Sequence, residues 1–345
     1  MPEPTLAPSA AARRRGRRSV LRLAAALPLA ALVACSRRGA AGPEVAAMSA
    51  PPASTATAIP PPTPTASPTP APPVRLALEL LPPTLGIGET MRVHVPLPAS
   101  AGAARGVLRL GEREYPLSRL PDGALWGVVG APLDATPGEG LPLSAVALAV
   151  DGRTVGAGET RTSIVAVPRP VERLYVTEEQ GAVLGGDAGP REAALRSAQF
   201  SAFDPAPPRW SGLFQRPTAG PVSTDFGGAR AINDGAPGPG HTGTDFAEDA
   251  GTPVRLAAAG RVAWAGAMPI RGNSVLVDHG AGVKSGYHHL SAITVEAGEA
   301  VLPAGTILGA VGATGFATGP HLHWEVTVWG VNVDAMTWLR VPFHA

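Results

Sequence analysis

The sequence predicts a mainly β protein, with a small β-sandwich ahead of a second β domain. Three observations predict it: short apolar runs alternate with polar residues, Gly- and Pro-rich turns separate the runs, and seven of the eight histidines follow Trp210. Val74, Leu76, Leu78 and Leu80 set apolar side chains at period two, the spacing that puts them on one face of a strand. Met91-Arg92-Val93-His94-Val95 and Val107-Leu108-Arg109-Leu110 repeat it. The run 143–150 meets Asp151-Gly152, a hairpin signal, and Thr154-Val155 follows. Short strands at this spacing predict an immunoglobulin-like β-sandwich over residues 74–170. It concentrates no His, Cys or acidic residues and reads as a spacer or positioning module. Residues 171–208 connect the two domains. Within them Pro190, followed by Arg191-Glu192-Ala193-Ala194-Leu195-Arg196, predicts a short helix with Pro in its first turn. Strands and glycine-rich turns resume in the second domain, 209–345.

The N-terminus reads as an address. Six arginines between residues 13 and 22 precede an uncharged apolar run, 23–34. That run is too short to span a bilayer core, which takes about 20 residues, and fits a secretory signal, 1–34. Leu32-Val33-Ala34-Cys35 resembles a bacterial lipobox, and Cys35 is the only cysteine, so a disulfide framework is excluded and a lipid anchor is expected. Residues 35–73 form a tether whose core, 51–73, is nearly all Pro, Ala, Thr and Ser. Such a composition favours extended chain and buries no core. The expected location is therefore the cell envelope: exported and membrane-anchored.

The net charge of +1 belongs to the leader. Six Arg and one Glu precede Cys35; the remainder has 22 basic and 26 acidic residues, a net of −4. No dense basic run follows residue 38, and nucleic acid is not an expected partner.

Three histidine motifs carry the chemistry: His241-Thr242-Gly243-Thr244-Asp245, Tyr287-His288-His289-Leu290, and Gly319-Pro320-His321-Leu322-His323-Trp324. In a strand, His321 and His323 share a face about 7 Å apart along the backbone, and Leu322 and Trp324 take the other. A catalytic zinc site needs about three N or O ligands and an open position. His241, Asp245 and one of the two C-terminal histidines fill that quota. His289 and the remaining member of the His321/His323 pair are then available to orient water or steady an oxyanion.

Residues 209–340 resemble the lysostaphin-type (LytM-like) zinc endopeptidases of peptidase family M23. The resemblance rests on the three motifs and on Phe226-Gly227, Gly251-Thr252-Pro253-Val254, Gly272-Asn273-Ser274-Val275, Asp278-His279-Gly280, Gly312-Ala313-Thr314-Gly315 and Val333-Asp334. It implies an antiparallel β-sheet with a groove, zinc bound by His241, Asp245 and His323, and catalytic roles for His289 and His321. It also implies a substrate, the peptide stems and cross-links of bacterial peptidoglycan, whose amides would be attacked by zinc-activated water. The earlier module and helix resemble the layout of lipoprotein members. Ala317 stands where Ser is common, and Ala335 where Pro is frequent; no ligand or catalytic histidine is missing. A non-catalytic peptidoglycan-binding or amidase-activating factor, and a zinc amidase, are the alternatives. Of the other residues, His279 is expected to be structural and His288 to lie at the surface. Arg230 and Asn233 are either substrate-positioning residues or parts of a solvated loop. Glu325 is either an orienter of the histidines or a strand-end acid.

Overall fold

The structure is a computed structural model that describes residues 72–204 and 206–344. The leader, Cys35 and nearly all of the tether lie outside those residues.

Alternation builds the first sheet. In the Thr90–Val95 strand, Met91, Val93 and Val95 are buried while Arg92 and His94 are half-buried. Among the described residues the strand order is Val74–Arg75, Thr154–Val165, Gly138–Leu148, Arg105–Leu110, Arg113–Arg119, Leu125–Gly130, Thr90–Val95, Glu79–Leu81, and Leu85–Gly86 adds to Thr154–Val165. The Arg113–Arg119 strand pairs with Arg105–Leu110 along its first part and with Leu125–Gly130 at its end, so the sheet turns a corner there. The single strand expected over 74–80 is instead interrupted. Val74–Arg75 pairs in parallel with the Thr154–Val165 strand, and Glu79–Leu81 pairs with Thr90–Val95 at the other end of the sheet. Both pieces close over one core, which Leu76, Leu78 and Leu80 all touch, and this accounts for the period-two signal.

In Leu125–Gly130 every residue is buried, because both faces are covered. Leu125 and Val129 enter the first core; Trp126 and Val128 enter the second. Trp126 Nε1 donates to Phe343 O at 2.7 Å, and the ring packs edge-on to Trp210. Burying a large side chain of this kind contributes about 1.5–3 kcal/mol.

The second sheet is antiparallel throughout. Its order is Val222–Thr224, Thr244–Ala247, His321–Val328, Val283–Leu290, Gly272–Asp278, Gly260–Met268, Val301–Leu302, and Val331–Val333 pairs with His321–Val328. Two helices precede it: α1 (Glu178–Ala182) and α2 (Ala188–Ser201). The sequence reading did not single out α1; Thr177 and Gln180 start it with a reciprocal capping box. Helix α2 lies against the sheet. Phe200 packs with Met268 and Leu276, and Lys284 Nζ donates to the carbonyls of Gln199 and Ala202.

This cover corrects the expectation for His288. The residue is 0% exposed, with Nδ1 at 2.8 Å from Ser274 Oγ. Alternation does turn it away from the Tyr287 side, but that face lies under α2 and is shut off from solvent. His279 is also fully buried. Its Nδ1 donates to Ala259 O at 2.9 Å, its Nε2 lies 2.8 Å from Ser285 Oγ, and its ring packs on Trp210 and Phe214. Burial pushes its pKa down to about 4.

A neutral buried histidine ties stability to pH. The unfolded ring titrates near about 6.5, so below that pH the unfolded chain binds a proton that the folded chain refuses. The contribution is complete above about pH 6.5 and is lost as pH falls toward 4. Between pH 7.5 and 4.5 the folded chain should lose about 2–3 kcal/mol more than a His279→Gln variant, measured by urea denaturation. Parallel losses in the two proteins would remove His279 as the cause.

Candidate active site

Backbone pairing brings the motifs together. The Thr244–Ala247 strand pairs with His321–Val328 so that Asp245 stands opposite His323, on the same face. His323 stands opposite His288 on its other side. His241 precedes the Thr244–Ala247 strand, in a loop closed by reciprocal backbone bonds, Gly227 N to His241 O and His241 N to Gly228 O. Between them Gly243 passes the His323 ring; a Cβ there would stand 2.6 Å from Trp324 O and 2.7 Å from that ring.

His241, Asp245 and His323 are all buried, and their ligand-type atoms lie within 4.8 Å of one another. His241 Nε2 is 2.9 Å from His323 Nδ1 and 3.1 Å from Asp245 Oδ1, which is 2.7 Å from His323 Nδ1. The outer nitrogens are already used. His241 Nδ1 bonds Asp225 O at 3.0 Å, and His323 Nε2 bonds Glu325 Oε1 at 3.0 Å. An outer N–H bonded to a carbonyl or carboxylate fixes the ring and leaves the inner nitrogen as the one that can give up its proton to a metal, as in histidines that ligate metals. Burial opposes a charged ring at His323, yet Asp245 and Glu325 outweigh it and raise the pKa. At His241 burial dominates and lowers the pKa despite the Asp245 hydrogen bond. Burial would raise the Asp245 carboxyl, but hydrogen bonds from the two histidines hold it well below the usual carboxylate range. The donor set, two imidazoles and a carboxylate, fits a cation with N and O ligands.

His289 and His321 stand together beside this group, ring centres 4.7 Å apart. His289 takes left-handed backbone, φ 59°, an uncommon conformation for a non-glycine residue. Its N–H donates to Arg271 O at 2.9 Å and its Nδ1 to Thr314 O at 2.8 Å. The left-handed step breaks the alternation, so that His288 and His289 both approach His323, at 5.5 and 5.9 Å between ring centres. His321 Nδ1 donates to Gly319 O at 2.9 Å. With Nδ1 the donor, the neutral form of each ring carries its lone pair on Nε2. Burial, reinforced by His321 and His323, pushes His289 down to about 2. A cavity of about 300 Å³ exposes Asp245, His289 and His321, and one of about 160 Å³ exposes His241, His289 and His323. A larger cavity, about 1070 Å³, reaches Thr242 but none of those five residues.

Arg230 lines both small cavities and pairs with Asp245 Oδ2 and Glu172. Its strand, Ala229–Ile232, pairs in parallel with Val171–Leu174. Asn233 turns the chain in left-handed backbone, and its side chain accepts from Val176 N, outside the cavities. Glu325 is not a strand-end acid. It is fully buried and accepts from Arg196, Arg271 and Thr242 as well as from His323. Burial alone would raise its pKa, but Arg196 and Arg271 hold it well below the usual carboxylate range. Sequence reasoning missed Glu192, Arg196 and Arg271. Glu192 and Arg196 stand four apart on a helix, a spacing that ordinarily reads as an exposed ion pair.

Comparison with known proteins gives the family. Residues 239–335 match the model of peptidase family M23. A solved structure from Pseudomonas aeruginosa, assigned to peptidase M23, is similar at 30% identity, covering 74% of this chain and 94% of that one, with TM-score 0.53. The chain belongs to peptidase family M23. It is also 41% identical over 97 residues to the DD-carboxypeptidase/endopeptidase Mpg of Neisseria meningitidis serogroup B, covering 28% of this chain. To the peptidoglycan DD-endopeptidase ShyA of Vibrio cholerae it is 45% identical over 96 residues, also 28% of this chain. The chain spans 22% of the length of each of these curated relatives.

The close approach at Gly243 is testable. Gly243→Ala must displace either the Trp324 backbone or the His323 ring, at a cost of about 1–3 kcal/mol. Thermal melts should show a lowered midpoint. A parental midpoint would mean that the two segments can separate freely.

Proposed function

We propose that the chain is a zinc metalloendopeptidase that hydrolyses peptide cross-links of bacterial peptidoglycan. The observation that carries this reading is the convergence of His241, Asp245 and His323 beside two histidines whose Nδ1 atoms are tied to carbonyls, which turns their Nε2 atoms over to the chemistry. The name of the Vibrio cholerae relative supports the substrate class, and both names support an endopeptidase. Zinc held by those three residues would polarise the scissile carbonyl and lower the pKa of a water to near 7. The chain's own residues do the rest. His289 and His321 handle the protons: Nε2 of one accepts from the attacking water and returns the proton to the leaving amine. The imidazolium so formed steadies the oxygen on which charge develops before the proton passes on, and the second ring lies beside it, ring centres 4.7 Å apart. The Thr314 and Gly319 carbonyls hold both rings in the tautomer that this requires. Glu325 and the Asp225 carbonyl do the same for the two ligand histidines. The basic leader, the apolar run and Cys35 support an exported, lipid-anchored protein that works at the envelope.

Purified peptidoglycan incubated with the zinc-loaded chain should lose cross-linked muropeptides by mass spectrometry, and a chelator should stop the loss. His241→Ala should abolish it, and His289→Ala and His321→Ala should slow it by about 10²–10⁴ while the protein still takes up zinc. Release of whole stem peptides from the sugar would make the protein an amidase. No cleavage by a folded, zinc-loaded chain would leave a binding or amidase-activating role.

A further inference from the structure

Helix α2 precedes the family match, 239–335, yet two of its charged side chains enter the site's supporting layer. Glu192 is 2% exposed, far more buried than a helix acid normally is. Its Oε2 accepts from the backbone N–H groups of Ile270 and Arg271 at 2.5 and 2.9 Å, and its Oε1 accepts from Arg271 Nη1. Arg196 donates to Glu325 Oε2 at 2.8 Å. Arg271 lies between the two acids and donates to Glu325 Oε1 through Nε and Nη2.

Two lines of contact leave this cluster, and each ends on a histidine. Glu325 Oε1 meets His323 Nε2. Arg271 O accepts from His289 N, and Ile270 O accepts from Phe316 N. Glu192 therefore fixes the turn from which His289 hangs, and Arg196 neutralises the carboxylate that orients His323. Holding the helix down would not require this. Two buried acids and two arginines are costly to desolvate, and apolar residues of similar volume would dock a helix at least as well. What such a network adds is fixed orientation at the atoms where it ends.

We propose that α2 is a working part of the active site, with Glu192 and Arg196 acting as positioning residues for His323 and His289 through Glu325 and Arg271. The proposal rests on the reading of His323 as a zinc ligand and His289 as a proton-handling residue.

The test uses the full chain and two readouts: zinc affinity by competition with a chromophoric chelator, and the visible spectrum of the cobalt-loaded protein. Arg196→Met and Glu192→Gln should each weaken zinc binding by about 10-fold or more and alter the cobalt spectrum, with kcat falling more than KM rises. Arg196→Lys, which can restore the single ion pair to Glu325, should recover most of the affinity. Arg209→Met, which breaks a comparable pairing with Asp204 and Asp278, should lower the melting temperature and leave zinc affinity within about twofold. Folded variants with parental affinity and an unchanged cobalt spectrum would overturn the role of α2 alone. A parent chain that takes up no zinc would overturn both this proposal and the reading beneath it. Should Arg196→Met fail to fold, Glu192→Gln decides.

Discussion

Glu325 sits with its carboxylate out of reach of solvent, and much of the site depends on how that charge is satisfied. An isolated buried carboxylate would take up a proton and lose its grip on the histidine beside it. Here two guanidinium groups and a threonine hydroxyl surround it, so it stays ionised and accepts from His323. The arginines come from different parts of the chain: one from α2, the other from the turn after the Gly260–Met268 strand. The constraint therefore couples helix docking, turn geometry and ring orientation.

The histidines are held by backbone as much as by side chains. Carbonyls of Asp225, Thr314 and Gly319 each take an imidazole N–H, which sets the tautomer without adding another titrating group. The strain at His289 fits this scheme. Left-handed backbone at a non-glycine residue persists only where the surroundings over-determine it. At this position the Arg271 and Thr314 carbonyls both grip the residue. Nearby, Gly272 (φ 62°) comes so close to Thr314 that a Cβ would meet its carbonyl at 2.3 Å. The tight approach of these two segments is part of what fixes His289.

The first sheet is bound into the second at its core. Leu125–Gly130 gives one face to each core, Trp329 Nε1 donates to Val128 O, and Asp334 N donates to Gly88 O. A strand buried on both faces keeps no polar side, which is why its composition reads as a plain apolar run. Part of the stability of the second sheet accordingly resides in residues that precede α2.

The sequence by itself determined the β class, the period-two faces and the three short histidine motifs; that His241, Asp245, His289, His321 and His323 form one site was implied by the family resemblance. The first signals are local: alternation sets which side chains share a face, and short motifs keep their members within a few residues. His321, His323 and Glu325 came out on one face for that reason, with Leu322 and Trp324 in the core. Only the tertiary structure decided the fates of Glu192, Arg196, Arg271 and His288. Glu192 meets Arg271 79 residues on and Arg196 meets Glu325 129 residues on, and nothing in a helix's own spacing tells whether its charged face meets water or a buried carboxylate. Alternation gave the side of the sheet on which His288 lies. The helix that covers that side turned an expected surface residue into a buried one.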